Sequence, residues 1–516
     1  MDAGGDAATE DWGPFGRPLF DDPSARALSR VGVVDVGSNS VRLVIFDGAA
    51  RSPAYFFNEK VMAGLGAGMA ETGRLNPEGR VRALAAIRRF QLLAEAMGIA
   101  PLTAVATAAV REAEDGPAFR EDVWRETGLR LWVIDGEEEA RLSAQGVLLG
   151  WPEAEGLVCD IGGSSMELAT VAGGHVGKKI SSKLGPQRLR TIRGGKKGVR
   201  AHIKAEVATL ADIMGTRPKR LFLVGGSWRA IARIDMDRRG YPLAVLHEYR
   251  MTRKDVYETV SYIAENDIED LRLRNGLSES RMSLVPLASL VLRQLVKTFK
   301  PDEIVVSSYG IREGMLYEQM PQRLRDRDPL VEACRFIEKK DARIPGFGRR
   351  LYDFVQPLFT ARNAPDKRLI KAACLLHDVS WRAHPDYRHE VCFDTVTRAN
   401  LGGMTHRERV FLGVALLHRY KNNRAGSPLA ALFRLLSEED LQRAEVLGKA
   451  MRFGAMLTAS EDGAMGSLRY FPKKGRLELR LVPGTRALFG EVAEARLNAL
   501  ASALGPDVSV VVKGRS

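Results

Sequence analysis

The stretch Val33-Val34-Asp35-Val36-Gly37-Ser38-Asn39-Ser40-Val41-Arg42-Leu43 recurs 125 residues on as Val158-Cys159-Asp160-Ile161-Gly162-Gly163-Ser164-Ser165-Met166-Glu167-Leu168. Each copy reads as a short apolar strand ending near an Asp, a Gly/Ser turn, and a returning apolar strand. Asp, the first Gly and the last Ser hold the same offsets in both copies, and an internal repeat constrains architecture more than any single motif. Turns of this composition offer backbone N–H groups and hydroxyls to a phosphate, and the Asp can hold a divalent cation. Two of them facing each other make a two-sided phosphate clamp.

Strands and helices alternate outward from both copies. After the first come a strand near Tyr55–Val61, the loop Gly64-Leu65-Gly66-Ala67-Gly68 and a helix over Pro77–Met97 with Val81, Leu84, Ile87 and Phe90 along one side. Strands at Leu102–Thr107 and Leu131–Ile134 follow, the second leading into a helix from Glu137. After the second copy come strands near Glu167–Val171, Lys179–Lys183, Arg220–Val224 and Glu303–Val306, with helices near Ala201–Met214 and Leu284–Lys297. This order, duplicated, predicts two α/β lobes with a cleft between them. Beyond about residue 323 helical periods dominate, and strand character returns at Leu468–Phe471, Leu477–Val482 and Val508–Val512. The expected division is a disordered tail over 1–28, lobes over 29–135 and 136–320, a helical domain over 321–465 and a small α+β part over 466–516.

The 516 residues are 45% hydrophobic and 27% charged, the composition of a soluble globular chain with several domains. The apolar run Leu284–Leu295 is broken by polar residues and reads as core, so no membrane partner is expected. The first 22 residues lack the basic start and apolar stretch of a signal peptide. Cys159, Cys334, Cys374 and Cys392 are far apart in apolar settings and read as reduced core thiols of a cytoplasmic protein. A net charge of +13, with pI near 9.6, points to polyanionic partners. Aromatics are 7% and do not interleave with the basic cluster Arg188, Arg190, Arg193, Lys196, Lys197 and Arg200, which argues against base stacking and hence against nucleic acid. That cluster is otherwise a solvated face.

Five pieces in order carry a resemblance: Asp35-Val-Gly-Ser-Asn-Ser-Val-Arg42, Ala106-Thr-Ala-Ala-Val-Arg-Glu-Ala113, Gly136-Glu-Glu-Glu-Ala-Arg141, Asp160-Ile-Gly-Gly-Ser-Ser-Met-Glu167 and Tyr309-Gly-Ile-Arg-Glu-Gly314. Together they resemble the exopolyphosphatase / guanosine pentaphosphate phosphohydrolase (Ppx/GppA) family. The resemblance implies duplicated actin-like (ribonuclease H-like) lobes, a helical domain like the HD phosphohydrolases, and a homodimer. Ser164 and Met166 depart from the family's Gly and hydroxyl residues in the second turn. Ser164 there would require a tolerant backbone angle.

The resemblance implies a catalytic role for Glu139 and Glu167, and Mg²⁺, or Mn²⁺, held by Asp160 and its repeat partner Asp35. From the residues alone, Glu137, Glu138 and Glu139 also fit the acidic first turn of a helix, and the two aspartates fit turn stabilisation. Ser38, Asn39, Ser40, Gly162, Gly163, Ser164 and Ser165 are the expected phosphate donors, with Gly225, Gly226 and Ser227 lining the cleft. Arg42 and Arg111 are candidate phosphate ligands because a guanidinium reaches two oxygens at once, although strand alternation equally allows Arg42 to face solvent. His377-Asp378 carries the HD signature, yet no histidine lies between His247 and His377 to complete a metal site. His384, His389, His406 and His418 all follow it, so a domain that packs without a metal is expected.

The function so implied is hydrolysis of the terminal phosphate of inorganic polyphosphate, releasing orthophosphate by metal-assisted attack of water. The runner-up is 5′-phosphohydrolysis of guanosine pentaphosphate. A reading of another class, an ATP-binding kinase or chaperone-like protein of the same superfold, predicts tight ATP binding, and the Glu139 motif argues against it.

Overall fold

The structure, a computed structural model, describes residues 13–15, 19, 27–28, 30–99, 102–359, 367–457, 466–482, 487, 489–505 and 507–513; the tail expected over 1–28 lies mostly outside them. The chain divides into two compact units, Met1–Asp326 and Arg327–Ser516.

The first unit repeats one sheet twice. Strands β1 (Val31–Val36), β2 (Val41–Ala49), β3 (Ser52–Val61), β4 (Thr103–Ala106) and β5 (Leu131–Val133) are ordered β3-β2-β1-β4-β5. Strands β6 (Gly156–Ile161), β7 (Met166–Ala172), β8 (His175–Ser182), β9 (Arg220–Val224), β10 (Arg250–Met251) and β11 (Glu303–Val306) are ordered β10-β11-β9-β6-β7-β8. In both sheets three antiparallel strands are followed by two parallel ones: β1 pairs β4 and β4 pairs β5, as β6 pairs β9 and β9 pairs β11. The repeated phrase is therefore a repeat of topology. Its register also matches, with Asp35 opposite Arg42 and Asp160 opposite Glu167.

Both β1 and β6 are central and covered by helices, which is why they read as almost unbroken apolar runs. Each lobe has its own core. A third cluster joins Val33, Val44 and Phe46 of one sheet to Val158, Ala169 and Phe222 of the other through Val147, Leu148 and Leu149. Those last three lie on the helix Gly136–Gly150, which is buried nearly all round from Glu139 onward. It crosses the helix Ile311–Glu318 at Gly146 and Gly314, where a Cβ on either glycine would overlap a backbone carbonyl of the other helix.

Two local readings are corrected and a third holds. The helix Pro77–Ala96 buries Ala83, Ala86, Ile87, Phe90 and Ala94, while Val81 is 70% exposed, because the alanines allow the closer approach. The helix expected from Ala201 starts at Gly195, so Lys196, Lys197 and Arg200 stand on its exposed first turns. Leu284–Leu295 belongs to Glu279–Phe299, long and apolar enough by composition to cross a membrane, yet Val285, Val291, Leu292, Leu295 and Val296 lie in the second lobe's core.

The second unit is mainly helical, with Lys367–Leu376, Arg388–Arg398, His406–Tyr420, Glu438–Leu457 and Glu491–Leu504 as its longer helices after Phe347–Val355. Strands β12 (Ser467–Phe471), β13 (Arg476–Arg480) and β14 (Ser509–Lys513) form a small sheet in that order. Asp378 is gripped by both ends of one guanidinium, Arg343 Nε at 2.6 Å and Nη2 at 2.7 Å. His377 Nδ1 lies 3.0 Å from the Cys374 carbonyl, and burial pushes the imidazole down to about 3. Among the described residues no three His, Cys, Asp or Glu side chains gather closely enough to hold a metal.

Candidate active site

The two hairpin turns meet at a cleft of about 210 Å³ in the first unit. The first contributes Asp35, Gly37, Ser38, Asn39, Ser40 and Arg42, and the second Asp160, Gly162, Gly163 and Ser165. Glu139 enters from the start of the Gly136–Gly150 helix, and Gly225, Gly226 and Ser227 from the loop after β9. Gly225 has φ +114°, and a Cβ there would lie 2.6 Å from the Ile161 carbonyl oxygen and 3.1 Å from Asp160 Oδ1. A glycine is needed at that point to let the loop approach the carboxylate.

Three expected site residues stand behind the cleft wall. Arg111 Nη1 donates to the Ile134 carbonyl at 2.8 Å and lies 3.3 Å from Glu139 Oε2, so it supports a carboxylate. Ser164 and Ser38 are both buried, and their hydroxyls are 3.1 Å apart, a direct link between the two turns. The backbone angle anticipated for Ser164 is not required: Glu248 and Lys300 are the non-glycine residues with positive φ among those described. Glu167 lies on the same sheet face as Asp160 but is 1% exposed. It accepts from Ser181 Oγ at 2.9 Å through Oε1, while Oε2 has no partner.

The electrostatics divide the cleft into two halves. On the acidic side Glu139 is pushed up to about 8, first by burial and then by the Asp160 charge, against the pull of Arg111. Burial likewise raises Asp35 and Asp160, and it raises Glu167 well above its ordinary value with added repulsion from Glu139 and Asp160. Asp160 keeps a hydrogen bond from Ser143, one helical turn beyond Glu139, so one helix positions two of the acids' groups.

The basic side is larger than the sequence suggested. Arg42 does line the cleft, donating from Nε to Asn58 Oδ1 at 2.6 Å, and it is joined by Lys60, Arg229, Arg281 and Arg312. Burial and the surrounding guanidinium groups push Lys60 down to about 8, and Arg42 to about 10. Arg229 Nη1 donates to the Ser308 carbonyl at 3.3 Å. Arg312 Nε stands 3.9 Å from Asp35 Oδ2, and its Nη1 is buried with no partner. Burial and neighbouring guanidinium groups also lower Arg229, while Glu313 and Asp35 hold Arg312 up, so the cleft gathers more cations than its acids offset locally. Arg312 lay within a motif already noted, but nothing local marked its direction. Lys60, Arg229 and Arg281 come from β3, the Gly226–Arg238 helix and Glu279–Met282, with no shared spacing to reveal them.

The acidic half fits a divalent cation of the Mg²⁺ kind. Its buried carboxylates repel one another, yet no three-ligand group exists among the described residues. Mg²⁺ suits such a place because it takes one or two carboxylates and completes its shell with water and phosphate oxygens.

The Ppx/GppA phosphatase family profile matches residues 44–323, and the profile described as exopolyphosphatase, C-terminal, matches 340–511. Exopolyphosphatase 1 of Mycobacterium tuberculosis is 26% identical over 318 residues, covering 59% of this chain and 92% of that protein. The guanosine-5′-triphosphate,3′-diphosphate pyrophosphatase of Aeromonas hydrophila is 22% identical over 438 residues, covering 81% of this chain and 86% of that protein. A solved exopolyphosphatase from Cytophaga hutchinsonii superposes with a TM-score of 0.52 at 25% identity, over 57% of this chain and 98% of its own.

Proposed function

Since the chain belongs to the Ppx/GppA phosphatase family, we propose that it hydrolyses the terminal phosphoanhydride of inorganic polyphosphate and releases orthophosphate. The observation that carries this reading is the shared cleft: Arg42, Lys60, Arg229, Arg281 and Arg312 line it together with Glu139, Asp35 and Asp160. A phosphate chain uses cations without stacking, and among the described residues no aromatic ring lines this cleft.

Phosphoryl transfer to water needs positioning and charge neutralisation above all. The turn amides and the hydroxyls of Ser38, Ser40, Ser165 and Ser227 orient the terminal phosphoryl group, and the guanidinium groups hold its oxygens. Glu139, ionised, accepts a proton from water as the water oxygen bonds to the terminal phosphorus. The bridging P–O bond breaks with its electrons remaining on the shortened chain, whose new charge Arg42 and Arg312 offset. Asp35 and Asp160 would hold Mg²⁺, which would neutralise phosphate oxygens and hold the acids ionised. Arg111 fixes Glu139 from behind.

Guanosine pentaphosphate is the second reading, favoured by the longer span shared with the Aeromonas hydrophila relative. Comparing kcat/KM on long-chain polyphosphate and on guanosine pentaphosphate tests the proposal; equal or faster turnover of the nucleotide refutes it.

A further inference from the structure

Strand β3 carries one more residue than its partner β2, and the surplus changes what its side chains face. Lys60 pairs with Arg42 and Asn58 with Val44, but the register shifts between Ile45 and Phe46, so that Tyr55 stands opposite Phe46. A bulge of this kind turns the side chains beyond it onto the other face of the sheet. Tyr55 therefore shares a face with Asn58 and Lys60. Its ring lies 5.5 Å from that of Phe46 and packs against the core cluster that the two lobes share.

There the Tyr55 hydroxyl donates to Glu313 Oε1 at 2.8 Å. The other oxygen of the same carboxylate, Oε2, accepts the backbone N–H of Gly310 at 2.8 Å, and Glu313 is 1% exposed. Gly310 and Arg312 both line the cleft, with Arg312 Nε 3.9 Å from Asp35 Oδ2. Burial raises the Tyr55 phenol well above its ordinary value, so it stays a donor. A buried tyrosine hydroxyl finds a partner, and a glutamate at this helical position caps its own helix. Those habits explain each group alone. They do not explain a bulge that aims the ring at the helix carrying Arg312, nor one carboxylate that serves both the first sheet and a cleft amide. The crossing at Gly146 and Gly314 sets Arg312 relative to Glu139. The Tyr55–Glu313 bond ties the start of the same helix to the sheet that bears Asp35, Arg42 and Lys60.

We propose that Tyr55, acting through Glu313, is a positioning residue of the cleft: it holds Gly310 and Arg312 against the first sheet, so that the Arg312 guanidinium meets a phosphoryl oxygen beside Asp35 and Arg42. This rests on the phosphate chemistry proposed above. Tyr55 does not touch the substrate; it sets where one of the substrate's cations stands.

The test uses the full chain and orthophosphate, which is bound without being turned over. Tyr55→Phe keeps the ring and deletes the hydroxyl, and should weaken orthophosphate binding in calorimetry about tenfold. A lower thermal midpoint with an unchanged Kd makes the bond structural only and overturns the proposal. In an Arg312→Gln background the same substitution should change Kd less than about twofold, because the group it positions is gone. A full tenfold loss in both backgrounds overturns the route through Arg312. Wild-type crystals soaked in tungstate should show an anomalous peak within hydrogen-bond reach of the Arg312 guanidinium, and no peak there overturns the proposal even if no variant folds. A wild type that binds orthophosphate but hydrolyses neither polyphosphate nor guanosine pentaphosphate refutes the proposed function and leaves the Tyr55 comparison standing.

Discussion

Replacing Arg111 with Gln removes the positive charge 3.3 Å from Glu139 Oε2 and leaves a neutral amide in its place. Charges centred about 4 Å apart interact by about 4 kcal/mol at an effective dielectric of 20. The Arg111 side chain is 21% exposed, so roughly half of that survives screening, about 2 kcal/mol. At about 1.4 kcal/mol per unit, the Glu139 carboxyl rises by about 1.5 units above its present value near 8. If ionised Glu139 accepts the proton, the rising limb of kcat/KM moves toward alkaline pH by that amount. Orthophosphate release from polyphosphate, followed between about pH 6 and 10, reads the limb directly. A limb that stays in place or moves toward acid refutes the argument, and a change in KM alone means that Arg111 holds phosphate instead. The same raised carboxyl affects stability: its contribution is full below the unfolded value near 4.5 and is lost as pH rises through about 8.

Glu139→Gln should lower kcat by at least about 100-fold while the thermal midpoint holds or rises, since one of several mutually repelling acids is gone. Ser164→Ala breaks the hydroxyl link between the turns and should cost about 1 kcal/mol in urea unfolding, with no loss if the link is absent in solution. Arg343→Met strands the buried Asp378 carboxylate; because the guanidinium is half exposed, about 1–2 kcal/mol is expected, read in the unfolding of the second unit. His377 and His418 are held down to about 3 and about 4, mainly by burial, so their neutral forms support the fold above about pH 6.5. Stability should fall as pH drops below that value, and His377→Gln should flatten the slope measured by thermal unfolding.

Much of the fold was legible because it is local and repeated. A strand that must turn tightly beside an Asp needs small residues at fixed offsets, and doing so twice wrote the lobes into the sequence. The acidic half of the cleft was legible for the same reason, since Asp35, Asp160 and Glu139 all sit at element ends next to their turns. The basic half was not, because Lys60, Arg229 and Arg281 arrive from separate elements and meet through tertiary packing alone. Glu167 sits differently from the other acids: register places it on the same face as Asp160, yet it is buried against Ser181. Val81 likewise matched a helical period, yet the stripe that packs is the one with alanines.

The crossing at Gly146 and Gly314 has a bearing on how such a cleft can change. Glu139 and Arg312 ride on helices whose backbones touch, so their separation is set by main chain and has no side-chain volume through which to drift. Lys60, Arg229 and Arg281 are carried by other elements and face the cleft through long side chains. Exchanging them would alter which anion fits while Glu139 keeps its place. The molecule thus keeps a fixed chemical jaw and an interchangeable one, and new substrate preferences can be reached by resetting the second without rebuilding the first.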